Sequence, residues 1–373
     1  MKYFFQILVL IVIVSISIYS CRSKKSIVTE QPTVKVEIEK EKENAPEKVV
    51  YDDKLFSVSP APADIYSNVN LITGNSVLFY DDISEEVLDA KPEKWNTTGY
   101  CRVKYINETD QKWLCMYGSS TATTSLKIPS SKYNVMEADI AYDVKNKSAL
   151  EVIEISLNGG SFINIEMKVN KNQIKVNKAD AVGYQDFDGN KKLVHLSIIM
   201  TDVGTTVWID NIPVAKLANV KAEAINNVKI NVVNTSVDNR VAISNLRITT
   251  EEPRISQQFA NTGKFFLRGI QFDLKEESPT NYSYSTLAEV AKAMKANPKV
   301  SYTVVVHNDG RLEKESNLKL SQTRANNVVN ILVGMGVTKS RLKAVGKGET
   351  ELLVNNSTLV YQATNRRVQF IRN

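Results

Sequence analysis

The chain has 373 residues, 43% hydrophobic and 24% charged, with a formal net charge of +6. That length exceeds one ordinary core, so two globular parts are expected, and the composition excludes a wholly disordered chain. Two histidines exclude a histidine-rich metal site, and nothing in the sequence implies a cofactor.

Residues 1–20 read as a targeting segment: Lys2, a nearly unbroken apolar run from Tyr3 to Tyr19, then Ser20. The run Ile18-Tyr19-Ser20-Cys21 resembles a bacterial lipobox, with Ile18 and Tyr19 in place of the usual leucine and small residue. The resemblance implies diacylglycerol on the Cys21 sulfur, cleavage before it, and acylation of the new amino terminus. Such a lipoprotein is anchored in the outer membrane and faces the periplasm. The competing reading is an uncleaved helix, because the run approaches the roughly 20 residues that span a bilayer. Residues 21–65 follow as a Lys- and Glu-rich tether punctuated by Pro32 and Pro46, with no means of burying a core.

Residues 66–250 show short alternating segments rich in Val, Ile and aromatic residues, separated by turn residues. Examples are Met136 to Val144, Val152 to Leu157, Phe162 to Val169, Leu193 to Thr201, Thr205 to Ile209, Val228 to Val233 and Val241 to Ile248. Strands at this spacing without amphipathic helices predict an all-β sandwich or jelly roll. Leu78-Phe79-Tyr80-Asp81-Asp82, Trp95 and Val207-Trp208-Ile209-Asp210-Asn211 resemble concanavalin-like lectin and glucanase domains, which implies a glycan or protein ligand.

Cys101 and Cys115 flank a predicted hairpin, where they are expected either to pair as a disulfide or to remain two small buried thiols. Glu137 and Asp139 share one side of a strand, joined by Asp143. They are either a catalytic carboxylate pair or a solvated acidic face, and the second reading is preferred, so no enzyme is expected. The Asp186-to-Asn190 loop reads as a turn rather than a calcium site, because Ser197 stands where a closing acid would be needed. Trp113 and Trp208 are expected in the core rather than stacked on sugars.

Residues 262–373 change pattern. A strand is expected at Gly269 to Asp273, then a helix carrying Leu287, Val290, Ala291 and Met294, opened by a Thr286–Glu289 capping box and stopped by Asn297-Pro298. A strand at Ser301 to Val306 leads to a second helix starting near Asn317, with Ala325, Val328, Val329 and Leu332 on one face. Strands at Arg341 to Val345 and Arg367 to Ile371 complete an α+β (βαβαβ) module.

Four motifs of this module occur in order: His307-Asn308-Asp309-Gly310, Asn317 through Ala325, Gly346-Lys347-Gly348-Glu349, and Asn365-Arg366-Arg367-Val368. They resemble the OmpA C-terminal family. The resemblance implies noncovalent binding of peptidoglycan through the diaminopimelate of its stem peptides, and so a tether between outer membrane and wall. Asp309 would take the ammonium and Arg324, helped by the helix dipole, the carboxylate of the same stereocentre. The bland alternative is a structural salt bridge between the two, or two unrelated surface charges. Asn317 and Ser321 are expected to support the site; Asn365 and Arg366 either border the ligand or anchor the last strand. Val306, Asn308 and Gly310 depart from the Gly, Thr and Asn usual around that Asp. From Asn261 onward 17 Lys and Arg face 9 Asp and Glu, which suits a wall rich in carboxylates. Export argues against nucleic acid as the partner.

Overall fold

Alternation decides most of the chain: along Ile163–Lys168, buried and half-buried residues alternate one by one, the burial rhythm of a strand with one face on a core. The computed structural model describes residues 73–106, 111–143, 151–168, 173–180, 193–234 and 239–373. Cys21, the tether and the Asp186-to-Asn190 loop lie outside them.

The first part is all β. Its strands are β1 (Ser76–Asp81), β2 (Asn96–Tyr105), β3 (Lys112–Ile128), β4 (Tyr133–Asp143), β5 (Glu151–Leu157), β6 (Ile163–Lys168), β7 (Gln173–Val176), β8 (Ala179–Asp180), β9 (Leu193–Thr201), β10 (Gly204–Ile209), β11 (Ile212–Leu217), β12 (Ile225–Asn234) and β13 (Arg240–Thr250). They form one 13-stranded sheet ordered β11-β10-β9-β4-β13-β3-β12-β5-β6-β7-β8, with β1 added to β13 and β2 to β3. β3 and β13 each pair with three neighbours, so the sheet branches at these two strands. Met136, Ile140, Leu196, Ile198, Ile230 and Ile243 sit in the core between its faces.

The second part comprises α1 (Ile255–Asn261), β14 (Lys264–Leu267), α2 (Ser283–Ala296), β15 (Tyr302–His307), α3 (Lys314–Gly334), β16 (Leu342–Gly348), α4 (Leu359–Asn365) and β17 (Arg367–Arg372). Its sheet runs β14-β17-β15-β16, with β15 and β16 parallel, over a separate core containing Phe259, Leu287, Val304, Val328 and Phe370. The first strand is β14 and not Gly269 to Asp273, a segment that instead forms an irregular wall of the site described below. Thr286 lies inside α2, which starts at Ser283 without a side-chain cap, because its side chain faces Gly269 in the interior.

For the β part, one pair of alternatives is decided and one expectation is corrected. Of the two readings for Cys101 and Cys115, the buried free thiols are what the structure has. The register sets Cys101 opposite Met116 and Cys115 opposite Arg102, a one-residue offset that sends the side chains to opposite faces, so they join different apolar clusters. The Glu137–Asp139 face is not solvated: these residues are only 2% and 8% exposed. Trp113 and Trp208 are buried, as expected of core residues.

The acidic face of β4 is covered by the C-terminal part, and both belong to one compact unit. His195 on β9 receives both acids, with Nδ1 2.7 Å from Asp139 and Nε2 3.5 Å from Glu137, while its ring stacks on Tyr282 at 3.5 Å. Asn75 donates to the Phe266 carbonyl at 3.0 Å, Arg268 returns a hydrogen bond to the Asn75 carbonyl, and Asn211 donates to the Asn281 carbonyl at 3.0 Å. Buried polar groups are stabilising where they find partners, and the Asn75, Arg268 and Asn211 hydrogen bonds supply them across the contact.

Candidate functional site

β15 ends at His307 and leads straight into Asn308-Asp309-Gly310, so a rigid parallel strand pair delivers Asp309 to the end of the sheet. Gly310 turns the chain with φ +78, a left-handed conformation that L side chains rarely adopt, and a Cβ there would run into Glu349. Gly346 permits a second close approach: any side chain on it would collide with the backbone of α3 at Gln322. That contact seats the helix carrying Arg324 against β16.

Asp309 is 7% exposed, and its Oδ2 lies 2.5 Å from Arg366 Nη1 and 2.9 Å from Arg311 Nε. Burial alone would raise its pKa, but the two guanidiniums outweigh burial and hold the carboxyl below its usual range. Arg324 does not pair with it. Its Nε donates to the Glu276 carbonyl at 2.8 Å, Nη2 to the Asp273 carbonyl at 2.8 Å and Nη1 to Asn308 Oδ1 at 3.0 Å, with Phe272 under the guanidinium plane. Burial pushes the Arg324 pKa down to about 10, with Asp309 acting in the opposite direction. The expected help from the helix dipole is absent. Arg324 is the eleventh residue of α3, which begins at Lys314 and not near Asn317, whereas the dipole's effect fades within the first turn.

Asn308 ties the end of β15 to α3: its Oδ1 accepts from Arg324 and its Nδ2 donates to Asn317 Oδ1 at 2.8 Å. Asn317 in turn donates to Glu349 at 3.0 Å, so it braces the junction without capping the helix. Ser321 donates to the Leu318 carbonyl and accepts from Gly348 N–H, both at 2.8 Å, tying α3 to the β16 loop. Asn365 is fully buried, accepting from Leu353 and Val354 N–H and donating to Asn356, which itself donates to the Asp309 carbonyl. It acts on the site through that chain of amides. Arg366 borders the site directly and stacks on Tyr80 of β1 at 4.5 Å.

Asp309, Arg324, Asn317 and Arg366 line one pocket with Phe272, Asp273, Asn308 and Arg311. Two participants escaped sequence reasoning. Arg311, two residues after Asp309, was signalled only by a basic residue after the turn glycine. Asp82 lies more than 200 positions upstream, yet its Oδ2 is 2.7 Å from Arg311 Nη1.

Residues 272–366 match the OmpA family. Outer membrane porin F of Pseudomonas aeruginosa is 38% identical over 101 residues, covering 27% of this chain and 29% of porin F. The probable lipoprotein YiaD of Escherichia coli is 33% identical over 100 residues, 27% of this chain and 46% of YiaD. Peptidoglycan-binding protein ArfA of Mycobacterium tuberculosis is 33% identical over 90 residues, 24% of this chain and 28% of ArfA. The peptidoglycan-associated lipoprotein of Burkholderia pseudomallei, a solved structure, is 23% identical, with a TM-score of 0.28 over 32% of this chain and 99% of its own. The chain spans less than half the length of these curated relatives. It carries an OmpA-like domain at its C-terminus.

Proposed function

We propose that this protein binds peptidoglycan noncovalently by gripping the ammonium and carboxylate of a diaminopimelate stereocentre, and thereby ties the outer membrane to the cell wall. The observation that carries the reading is the shared pocket of Asp309 and Arg324 inside the OmpA-matching segment. A guanidinium has five N–H donors, and three on Arg324 are engaged by protein oxygens, which leaves two for a carboxylate. The ammonium competes with Arg311 for Asp309. Arg311 gives way at low cost because Asp82 remains its partner. Asn317, Ser321 and Asn365 hold the walls, and Arg366 borders the ligand.

In this reading residues 1–20 are a signal peptide, Cys21 carries diacylglycerol and a fatty acyl chain such as palmitate, and residues 21–65 are a tether on the periplasmic side of the outer membrane. Residues 66–250 form a concanavalin-like β-sandwich that recruits a glycan or protein, and residues 262–373 are the wall-binding domain. The similarity to outer membrane porin F and to peptidoglycan-binding protein ArfA supports an envelope location and a wall partner. A hydrolytic role for the β part is disfavoured by Glu137 and Asp139 being buried and committed to His195.

Cosedimentation of the full chain with purified sacculi tests this. Asp309→Ala and Arg324→Ala, each folded, are expected to lose most of the bound fraction; full binding by both would exclude the site.

A further inference from the structure

Beside the Asp309 pocket, and sharing Phe272, Asn308, Arg311, Arg324 and Arg366 with it, lies a second cavity whose far wall comes from the β part. Its lining is unbalanced in charge. Lys112, Arg247, Arg268, Arg311, Arg324, Arg366 and Arg367 line it against only Asp82 and Asp273. Arg311 and Arg366 are taken by Asp82 and Asp309. The other five cations meet neutral oxygens: Lys112 the Ser84 and Glu86 carbonyls, Arg247 that of Arg268, Arg268 those of Thr364 and Asn75, and Arg367 those of Asn365 and Glu351, besides the Arg324 contacts given above.

Arg247 is the most telling. It is 5% exposed, it makes one hydrogen bond at 3.2 Å, and its Nε has no partner among the described residues. Arg367 Nε and Gln271 Nε2 on the same cavity are likewise unpartnered. Glu137, opposite Arg247 in the β4–β13 register, offsets part of that charge but leaves the Arg247 Nε unpartnered among the described residues. Interiors rarely leave several buried donors in this condition, because each is costly, and an anion in the cavity would relieve them at once. Ser84, Gln111 and Lys112 are only half-buried and form the solvent rim.

We infer that this cavity is a carboxylate-binding subsite, completed by Lys112 and Arg247 of the β part, that receives a second carboxylate of the wall peptide gripped at Asp309 and Arg324. The inference rests on the wall-binding reading and adds to it a ligand-recognising role for the β part. A carboxylate is favoured over other anions because the cavity is continuous with a pocket that already orients an amino-acid centre, and peptide stems carry further carboxylates a residue away. Asp273 at the junction has its pKa pushed up to about 7 by burial and by neighbouring Asp139 and Glu276, so it opposes an anion less than an ordinary aspartate.

The test uses the full chain and two forms of the stem tripeptide Ala-γ-Glu-diaminopimelate, one with all carboxylates free, one amidated everywhere except at the terminal ammonium-carboxylate centre. Calorimetric titration is expected to show at least a tenfold preference for the free form. Arg247→Gln should abolish that preference, and Lys112→Gln, on the half-buried rim where folding is less at risk, should reduce it. Equal affinity of the wild type for both peptides, or a preference that survives in both folded variants, overturns the subsite while leaving wall binding intact. Failure of the wild type to bind either peptide overturns the wall-binding reading and the subsite with it.

Discussion

Asp82 and Asp309 share one guanidinium: Arg311 Nη1 lies 2.7 Å from Asp82 Oδ2 and Arg311 Nε 2.9 Å from Asp309 Oδ2. The first acid follows β1 of the large sheet and the second follows β15 of the OmpA-like domain, so one cation joins the two parts beside the Asp309 pocket. Asp82 is held in turn by Ser84 and is well buried, and Arg311 and Arg366 outweigh burial to keep its pKa below the usual carboxylate range.

Asp82→Asn is therefore expected to lower unfolding free energy by about 1.5–3 kcal/mol, the range for a hydrogen bond to a charged group. A double-mutant cycle with Arg311→Gln, followed by urea denaturation, should give a coupling energy above about 1 kcal/mol. Strictly additive losses would show that the two side chains are neighbours without being partners.

His195 makes the contact between the two parts pH-dependent. Burial alone would lower its pKa, but Asp139 and Glu137 overcome burial and raise it to about 9. Its charge therefore contributes stability that is complete below about pH 6.5 and is lost as pH rises through about 9, on the order of 3 kcal/mol in all. Glu137 is shifted the other way, held low by His195 and Arg247 against burial, so its contribution is present above its ordinary pKa and fades as pH falls. Urea denaturation at pH 6 and pH 10 should show the wild type losing stability at the alkaline end, and His195→Gln should flatten that slope.

Cys101 and Cys115 should behave as two inert thiols. Burial raises both pKa values, that of Cys115 to about 11. Reductant is expected to leave the melting temperature unchanged, and a thiol reagent should label neither residue until denaturant is added. Labelling of the native protein would mean that the β2–β3 register differs from the one described.

The strands of the large sheet were legible because β-branched alternation and Asn/Asp/Gly turns are local signals, and Leu193–Thr201 was delimited to the residue. The OmpA-like domain was legible because its motifs lie in one continuous hundred residues. What escaped depended on distance. Asp139 looked like part of a solvent stripe because nothing in β4 announces that Tyr282, more than 140 residues later, will stack on the histidine it holds. Arg324 looked helix-initial because Asn317 resembled a cap, whereas Glu313 precedes the first turn and Asn317 is drawn inward to Asn308 and Glu349. The Cys101–Cys115 offset is a matter of register, to which sequence spacing is blind.

Asn365 and Arg366 are adjacent but should fail differently. Asn365→Ala strips partners from Leu353 and Val354 N–H and from the Val354 carbonyl, and is expected to cost about 1–3 kcal/mol of stability. Below its melting temperature that variant should still bind sacculi. Arg366→Ala removes the ion pair to Asp309 at the pocket edge, so its binding should fall even where it is fully folded. Thermal melts alongside sacculus binding at 15 °C separate the two; equal affinity losses would mean that the Asn356 link to Asp309 depends on Asn365.

Recognition of an ammonium and a carboxylate on one carbon by Asp309 and Arg324 is measured most directly by competition. The full chain is bound to sacculi and challenged with free meso-diaminopimelate or with 1,5-diaminopentane, which keeps both amines but has no carboxylate beside either. Diaminopimelate should displace the wild-type protein in a dose-dependent way while equimolar 1,5-diaminopentane leaves it bound. Displacement by both alike, or by neither, would contradict the account.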